Sequence, residues 1–457
     1  MTLALVASLL LLAPDVRAKV DAVFAAYDRS DSPGCVLGIY RDGAMDYARG
    51  YGMADLERGL SLGPASVLDL GSAGKQFTAF AIHLLAAEGR LSLDDDVRRH
   101  LPELPAYGRP ITIRHLLHHT SGLRDYLGLL DLAGFKEQDL TTDEDALGLI
   151  VRQKAANFPA GEDHLYSNTG YFLLSVIVKR ASGRSLRDFA AERVFSPLGM
   201  RHTQYNDRHD RLIPGRALGY AAGEGGGFVL SMSDFEQTGD GGVLASVEDL
   251  LLWDRNFYEP RVGTAAMVAD MQKPGALASG RPLEYASGLR IAPYRGLPTV
   301  SHGGSWAGYR AQLLRFPGER LSVACLCNLA SAEPTALALS VADLLLEGRL
   351  QPAAAPSPEP ARKAPEKPAS PIADAAAFAG TYVSEEIGET PIVLAVDAGT
   401  LVVRHRVLPR GPIVPLRPDT VALEGYYTFR FFRKDGRVDG FHLDMGRVKG
   451  LLYRRVH

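Results

Sequence analysis

Ser72 and Lys75 stand three residues apart in "LGSAGKQFTAF", residues 70–80, where a long apolar run begins. A serine hydroxyl is a weak nucleophile until a base takes its proton. Residues three apart on a helix lie one above the other, which lets the Lys75 amine reach Ser72. Desolvation at an apolar helix end favours the neutral amine, a usable base. The pair alone assigns nothing, because Ser-x-x-Lys also occurs on solvated helix faces. The stretch "SAGK" is no phosphate loop: that motif needs a glycine five residues before its Gly-Lys pair and Ser or Thr after it, and Asp69 and Gln76 occupy those places.

Two further stretches carry chemistry. In "HLYSNTGY", residues 164–171, Tyr166 and Asn168 flank one residue ahead of the apolar run "YFLLSVIVKRA". A tyrosine there can relay protons, and an amide can hold both a lysine and a substrate carbonyl. The plainer reading is a helix entry with Ser167 or Asn168 as N-cap. In "HGGS", His302, Gly303, Gly304 and Ser305, two glycines admit a close backbone and the Ser305 N–H can face an oxyanion. The plainer reading is a strand with a glycine bulge.

In this order, Ser-x-x-Lys, Tyr-Ser-Asn and His-Gly-Gly resemble the serine β-lactamase and penicillin-binding protein superfamily, nearest its class C, esterase and D-aminopeptidase branches. "EGRLSLDDDVRRHLPEL", "ITIRHLLHHTSGL", "FPAGEDHLYSNTGY", "SPLGM" and "GDGGVLASVEDLLLWDRNF" extend the likeness over roughly residues 20–350. The resemblance implies an α/β (α+β) fold, an antiparallel sheet flanked by helices with a helical insertion. It implies acylation of Ser72, proton transfers shared by Lys75 and Tyr166, and Asn168 contacting lysine and substrate. The N–H groups of Ser72 and Ser305 then form the oxyanion hole. Antibiotic-hydrolysing members usually carry Lys-Thr-Gly at the third motif, where this chain has His302 and Gly303. A histidine near its ordinary pKa is mostly neutral at pH 7 and glycine has no hydroxyl, so the grip on a penicillin carboxylate is weakened.

The implied function is a serine hydrolase that cleaves esters or D-amino-acid-containing peptides and amides through an acyl-enzyme on Ser72. The alternatives are a β-lactamase or DD-peptidase, and a non-catalytic peptide-binding homologue, against which both Ser72 and Lys75 speak. "GGSWA", residues 303–307, nearly fits a Gly-x-Ser-x-Gly elbow, but that turn needs a helix next and "YRAQLLRFPGE" alternates like a strand. His115, His118 and His119 lack a carboxylate or cysteine to complete a recognisable metal set. Capping or packing is expected of them, and no metal or cofactor is expected.

The elements that must position these groups come from both ends of the region. Strand-like "GCVLGIYRDG" and "AMDYARGYGMAD" precede a mainly helical stretch from Ser72 to about Asn256. Strands return at "LEYASGLRIAPY", "PTVSHGGSWAGYRAQLLRFPG" and "RLSVACLCNLA", and the helical "EPTALALSVADLLLEGRL" follows. A catalytic domain over residues 19–350 is expected, then a Pro/Ala-rich linker over 351–373. Residues 374–457 read as an all-β, barrel-like accessory domain with Asp435-Gly436 as a hairpin turn.

At 46% hydrophobic, 457 residues build real cores. A net charge of −3 with no basic run excludes nucleic acid as the expected partner and leaves a small molecule or peptide substrate. Cys35, Cys325 and Cys327 are expected to be buried free thiols, the last two on one face of a strand. The apolar run within residues 1–18 is too short to span a bilayer. Its small residues at 16 and 18 suit a signal peptide, but no positive charge precedes it. Val16, Val20, Val23, Phe24 and Tyr27 also mark one amphipathic helix across the cut. The protein is periplasmic or secreted if the segment is cleaved and cytoplasmic otherwise.

Overall fold

Continuous apolar runs near both ends of the first 350 residues become neighbouring strands. The computed structural model describes residues 12–352 and 375–456. Six strands form one antiparallel sheet: β1 (Cys35–Arg41), β2 (Ala44–Tyr51), β3 (Arg290–Tyr294), β4 (Leu297–Trp306), β5 (Tyr309–Phe316) and β6 (Leu321–Cys327). Their order across the sheet is β3-β4-β5-β6-β1-β2. β6 is buried at every position and β1 at all but its last, as expected of strands covered on both faces.

Five helices position the site: α1 (Pro14–Val23), α2 (Lys75–Ala87), α3 (Asn168–Ser182), α4 (Val247–Tyr258) and α5 (Pro334–Leu345). Cys35, Leu37 and Ile39 of β1 and the odd-numbered positions of β6 share one apolar cluster with Val20 and Phe24 and with Ala338, Val341 and Ala342 of α5. Val16, Val23 and Tyr27 pack against the same cluster, so the amphipathic face read from sequence is the face that is buried. α4 covers β1 from its own N-terminus, where the Tyr40 hydroxyl donates to the Val247 carbonyl at 2.6 Å. The expected leader reaches into α1, and its first eleven residues lie outside the described part.

The cysteines correct the sequence reading. Cys35 and Cys327 are directly paired across β1 and β6 and form a disulfide between residues 292 apart in the chain. Only strand register reveals that pairing. Cys325 alone is free, on the same face of β6 with its sulfur 3.9 Å from that of Cys327, and burial pushes its thiol pKa well up. The glycine-rich segment 221–228 lies in a short hairpin that pairs Tyr220–Ala222 with Phe228–Leu230.

The chain divides into two compact units. One is built from Met1–Ser92, Leu174–Gly275 and Pro282–Ala353; the other from Leu93–Leu173, Ala276–Arg281 and Ala354–His457. In the second, eight antiparallel strands curl into a nearly closed barrel: β7 (Gly380–Ser384), β8 (Gly388–Asp397), β9 (Thr400–Arg404), β10 (Ile413–Arg417), β11 (Thr420–Leu423), β12 (Tyr427–Lys434), β13 (Arg437–Met445) and β14 (Val448–Val456). Alternating residues such as Ile392, Leu394, Phe429, Phe441, Leu443 and Tyr453 fill its core. Asp435 and Gly436, both at positive φ, turn β12 into β13 as expected.

This β module and residues 93–173 share that unit through a buried ion pair. Arg124 Nη1 lies 2.7 Å from Glu386 Oε2, both side chains nearly inaccessible. Gln153 Oε1 also accepts from Arg124, and the Lys154 N–H donates to Glu386. The linker read from sequence falls, past residue 352, outside the described residues.

Candidate active site

The serine–lysine pair sits on a turn, one step before the helix proper. A 3-10 turn over Gly71–Gly74 delivers the chain into α2. That helix is buried from Lys75 to Leu85, which explains its apolar character all round. The Lys75 amine is fully buried and donates to Ser72 Oγ at 3.0 Å and to the Asp240 carbonyl. Ser72 itself is half-buried, so its hydroxyl is reachable while the amine behind it is not.

Two polar residues fix the helix entry. Gln76 donates to the Ala73 carbonyl at 2.9 Å and accepts from the Trp253 indole N–H at 2.6 Å. Thr78 donates to the Gly239 carbonyl at 2.7 Å, next to the carbonyl that receives Lys75. Thr78, a polar exception in an apolar helix, therefore ties down the residue beside the lysine's partner. His83, the other exception, pairs with the Ser287 hydroxyl at 2.9 Å.

β4 closes over the turn backbone to backbone. Gly71 has φ +49°, and a Cβ there would stand 2.7 Å from the Ser305 nitrogen. The Ser305 N–H is thus beside the residue preceding Ser72, the approach an oxyanion hole needs. Ser305 lies near the end of β4, and β5 follows after a tight turn, so no helix completes a nucleophile elbow. Asp69 accepts the Gly71 N–H at 2.7 Å, and burial pushes its carboxyl up to about 6.

His302 lies on β4 with its ring buried. Its Nδ1 is 2.6 Å from the Gly303 carbonyl, which can only accept, so Nδ1 carries the proton and Nε2 accepts from the Tyr285 hydroxyl at 2.8 Å. Burial, with the Lys75 charge second, depresses its pKa to about 4. The imidazole is neutral at pH 7 and is no substitute for a lysine cation.

In the second unit, Tyr166 and Asn168 are brought together around residues 119–125. The His119 ring packs at a tilt against Tyr166, centroids 4.1 Å apart, and its Nδ1 accepts the Ser167 N–H at 3.1 Å. Asp125 accepts the Asn168 N–H at 2.7 Å, and Thr169 donates to the Arg124 carbonyl at 2.7 Å. His115 accepts the Thr112 N–H in a capping box, so packing and capping are the roles of these histidines, as read.

Sequence reasoning missed Asp125, Asp240 and Tyr285. The first stands two residues past "TSGL", after Arg124, and the others are partners that only the fold brings near. Cys35, Cys325 and Cys327 have sulfurs close enough to share an ion, but two of the three are consumed by the disulfide.

A buried lysine behind a turn-borne serine, under a Gly-Gly strand, is the arrangement of the serine β-lactamase fold. Residues 20–346 match the model of the Beta-lactamase family, and the chain belongs to that family. It is 34% identical over 314 residues to a D-aminopeptidase of Cereibacter sphaeroides, covering 68% of this chain and 60% of that protein. The chain thus spans about three-fifths of that relative's length. A D-aminopeptidase of Brucella ovis is 28% identical over 451 residues, covering 96% of this chain and 80% of the relative. The octameric penicillin-binding protein homologue from Pyrococcus abyssi matches in structure with a TM-score of 0.63 at 25% identity, covering 96% of this chain and 99% of that one. Both long matches include the β module.

Proposed function

We propose that the protein is a serine hydrolase that cleaves amides and peptides of D-amino acids, and small esters, through an acyl-enzyme on Ser72. The observation that carries this reading is the 3.0 Å contact between a fully buried Lys75 amine and Ser72 Oγ. In this reading neutral Lys75 takes the Ser72 proton as Oγ attacks the substrate carbonyl. The N–H groups of Ser72 and Ser305 receive the developing oxyanion. Tyr166 donates its proton to the leaving amine or alcohol and is reprotonated by Lys75, and Asn168 orients the substrate carbonyl. Water then attacks the acyl-serine by the reverse sequence, releasing the acid and restoring Ser72. His302, Gly303 and Gly304 line the strand against which the substrate lies.

D-Aminopeptidase relatives support the D-amino-acid preference. Hydrolysis of D- and L-alanine p-nitroanilides by the wild type and by Ser72→Ala tests the reading. Ser72-dependent turnover of the D form is expected; a preference for the L form contradicts it.

Export is also proposed. The Cys35–Cys327 disulfide favours an oxidising compartment, in keeping with a cleaved leader over residues 1–18. Boundaries at 19–350, 351–373 and 374–457 are the proposed domain organisation.

A further inference from the structure

The tip between β13 and β14 carries Gly446 and Arg447 to the Tyr-Ser-Asn segment. The Arg447 guanidinium carbon lies 4.8 Å from the centroid of the Tyr166 ring, within cation–π range. Its Nη1 is 3.6 Å from Asp125 Oδ2, the oxygen that accepts the Asn168 N–H. One side chain therefore touches the tyrosine directly and the asparagine through a shared carboxylate.

The tip is docked without using that side chain. The Arg447 carbonyl accepts from Asn157 Nδ2 at 2.9 Å and from the Asp125 N–H at 3.3 Å. Asn157 Oδ1 in turn accepts the Lys449 N–H at 2.8 Å. Arg124 donates to the carbonyls of Lys449 and Gly450, at 3.0 and 3.2 Å. At Gly446, with φ +47°, a Cβ would meet the Tyr426 hydroxyl at 2.2 Å, so the turn favours glycine. Arg447 is 43% exposed; removing its guanidinium opens no core cavity and breaks none of these bonds. A cation spared from docking, yet held against both Tyr166 and Asp125, has its consequence at those two residues.

We propose that Arg447 of the β module is a positioning residue that holds Tyr166 and Asn168 in their working geometry. This rests on the roles given to Tyr166 and Asn168 above. It makes the β module a structural part of the catalytic apparatus. Displacing a catalytic group by about 1 Å costs on the order of 100-fold in rate, so a loosened tyrosine is expected to appear in kcat.

The test uses the full chain with Arg447→Ala, Arg447→Lys and, as a control, Arg454→Ala, an exposed arginine of β14 paired with Asp439. Turnover of p-nitrophenyl acetate and of D-alanyl-D-alanine is measured beside fluorophosphonate labelling of Ser72 by intact mass. Arg447→Ala is expected to lower kcat on the uncharged ester by about 10- to 100-fold, with KM within about twofold. Lysine should restore much of the loss, and the control should match wild type. An Arg447→Ala enzyme equal to wild type on the ester, but with a raised KM for the dipeptide, overturns the positioning role and makes the arginine a binder of substrate carboxylate. Equal losses in Arg447→Ala and Arg454→Ala overturn it too, as a general effect on the module. Wild type that gives no Ser72 adduct overturns the hydrolase reading and this role together, whereas labelled wild type with an unimpaired Arg447→Ala overturns this role alone.

Discussion

Gly304 lies so close to Leu70 that a Cβ on it would stand 1.8 Å from the Leu70 carbonyl oxygen. The contact is backbone against backbone, and no rotamer change relieves it. Gly304→Ala must therefore push β4 away from the serine turn and take the Ser305 N–H with it. Loss of one oxyanion donor costs about 10²–10³ in rate, and that drop in kcat/KM is expected on small esters. Gly303→Ala meets chiefly the flexible Gln312 side chain, at 3.1 Å, and should fold like wild type. Comparable activity in Gly304→Ala and wild type contradicts the proposed oxyanion hole.

His302 and Asp69 make opposing contributions to acid stability. A histidine near 6.5 when unfolded and about 4 when folded leaves the unfolded state holding more protons between those values. Its contribution to stability therefore falls as pH drops from 6.5 to 4, by roughly 3 kcal/mol in full. Asp69, ordinarily 3.8 and raised to about 6 by burial, keeps its proton in the folded state after the unfolded state has lost it. Its contribution falls as pH rises from about 4 to 6, by a similar amount. His302→Gln is expected to leave the aspartate limb, with Tm falling from pH 4 to 6; Asp69→Asn is expected to leave the histidine limb, with Tm rising. Identical pH slopes in both variants and wild type would refute the assignment.

Neutral His302 also bears on substrate. A carboxylate normally gripped by a cation loses a bond of roughly 1.5–3 kcal/mol, about one to two decades in kcat/KM. Activated esters are expected to turn over readily and penicillins and cephalosporins poorly. His302→Lys with Gly303→Thr should move the ratio towards lactams. Efficient cephalosporin hydrolysis by the unmodified protein contradicts this.

Arg124 and Glu386 provide a separate stability prediction. Removing one partner of a buried pair strands the other and costs about 3–5 kcal/mol, so Glu386→Ala should unfold at clearly lower urea concentration. Arg124→Met with Glu386→Leu should lose much less than the sum of the single losses. Additive losses would show that the pair is not coupled.

Much of the fold was legible because its signals are local. The seven-residue run of β6 and the alternation in the β module each carry their own periodicity, and Asp435-Gly436 announces its turn. The serine, lysine, tyrosine and glycines were legible as spaced motifs. The disulfide was not, since Cys35 meets Cys327 only through register across 292 residues. Asp125, Asp240 and Arg447 were equally silent. Each acts through a carboxylate, a carbonyl or a turn whose neighbours the chain supplies from far away.

The central claim is that Ser72 is acylated with Lys75 as its base, and intact mass after a fluorophosphonate tests it most directly. One adduct is predicted, on the peptide containing Ser72, and Lys75→Ala should slow turnover by about 10²–10⁴. An adduct on Ser305, or full activity in Lys75→Ala, would contradict the mechanism.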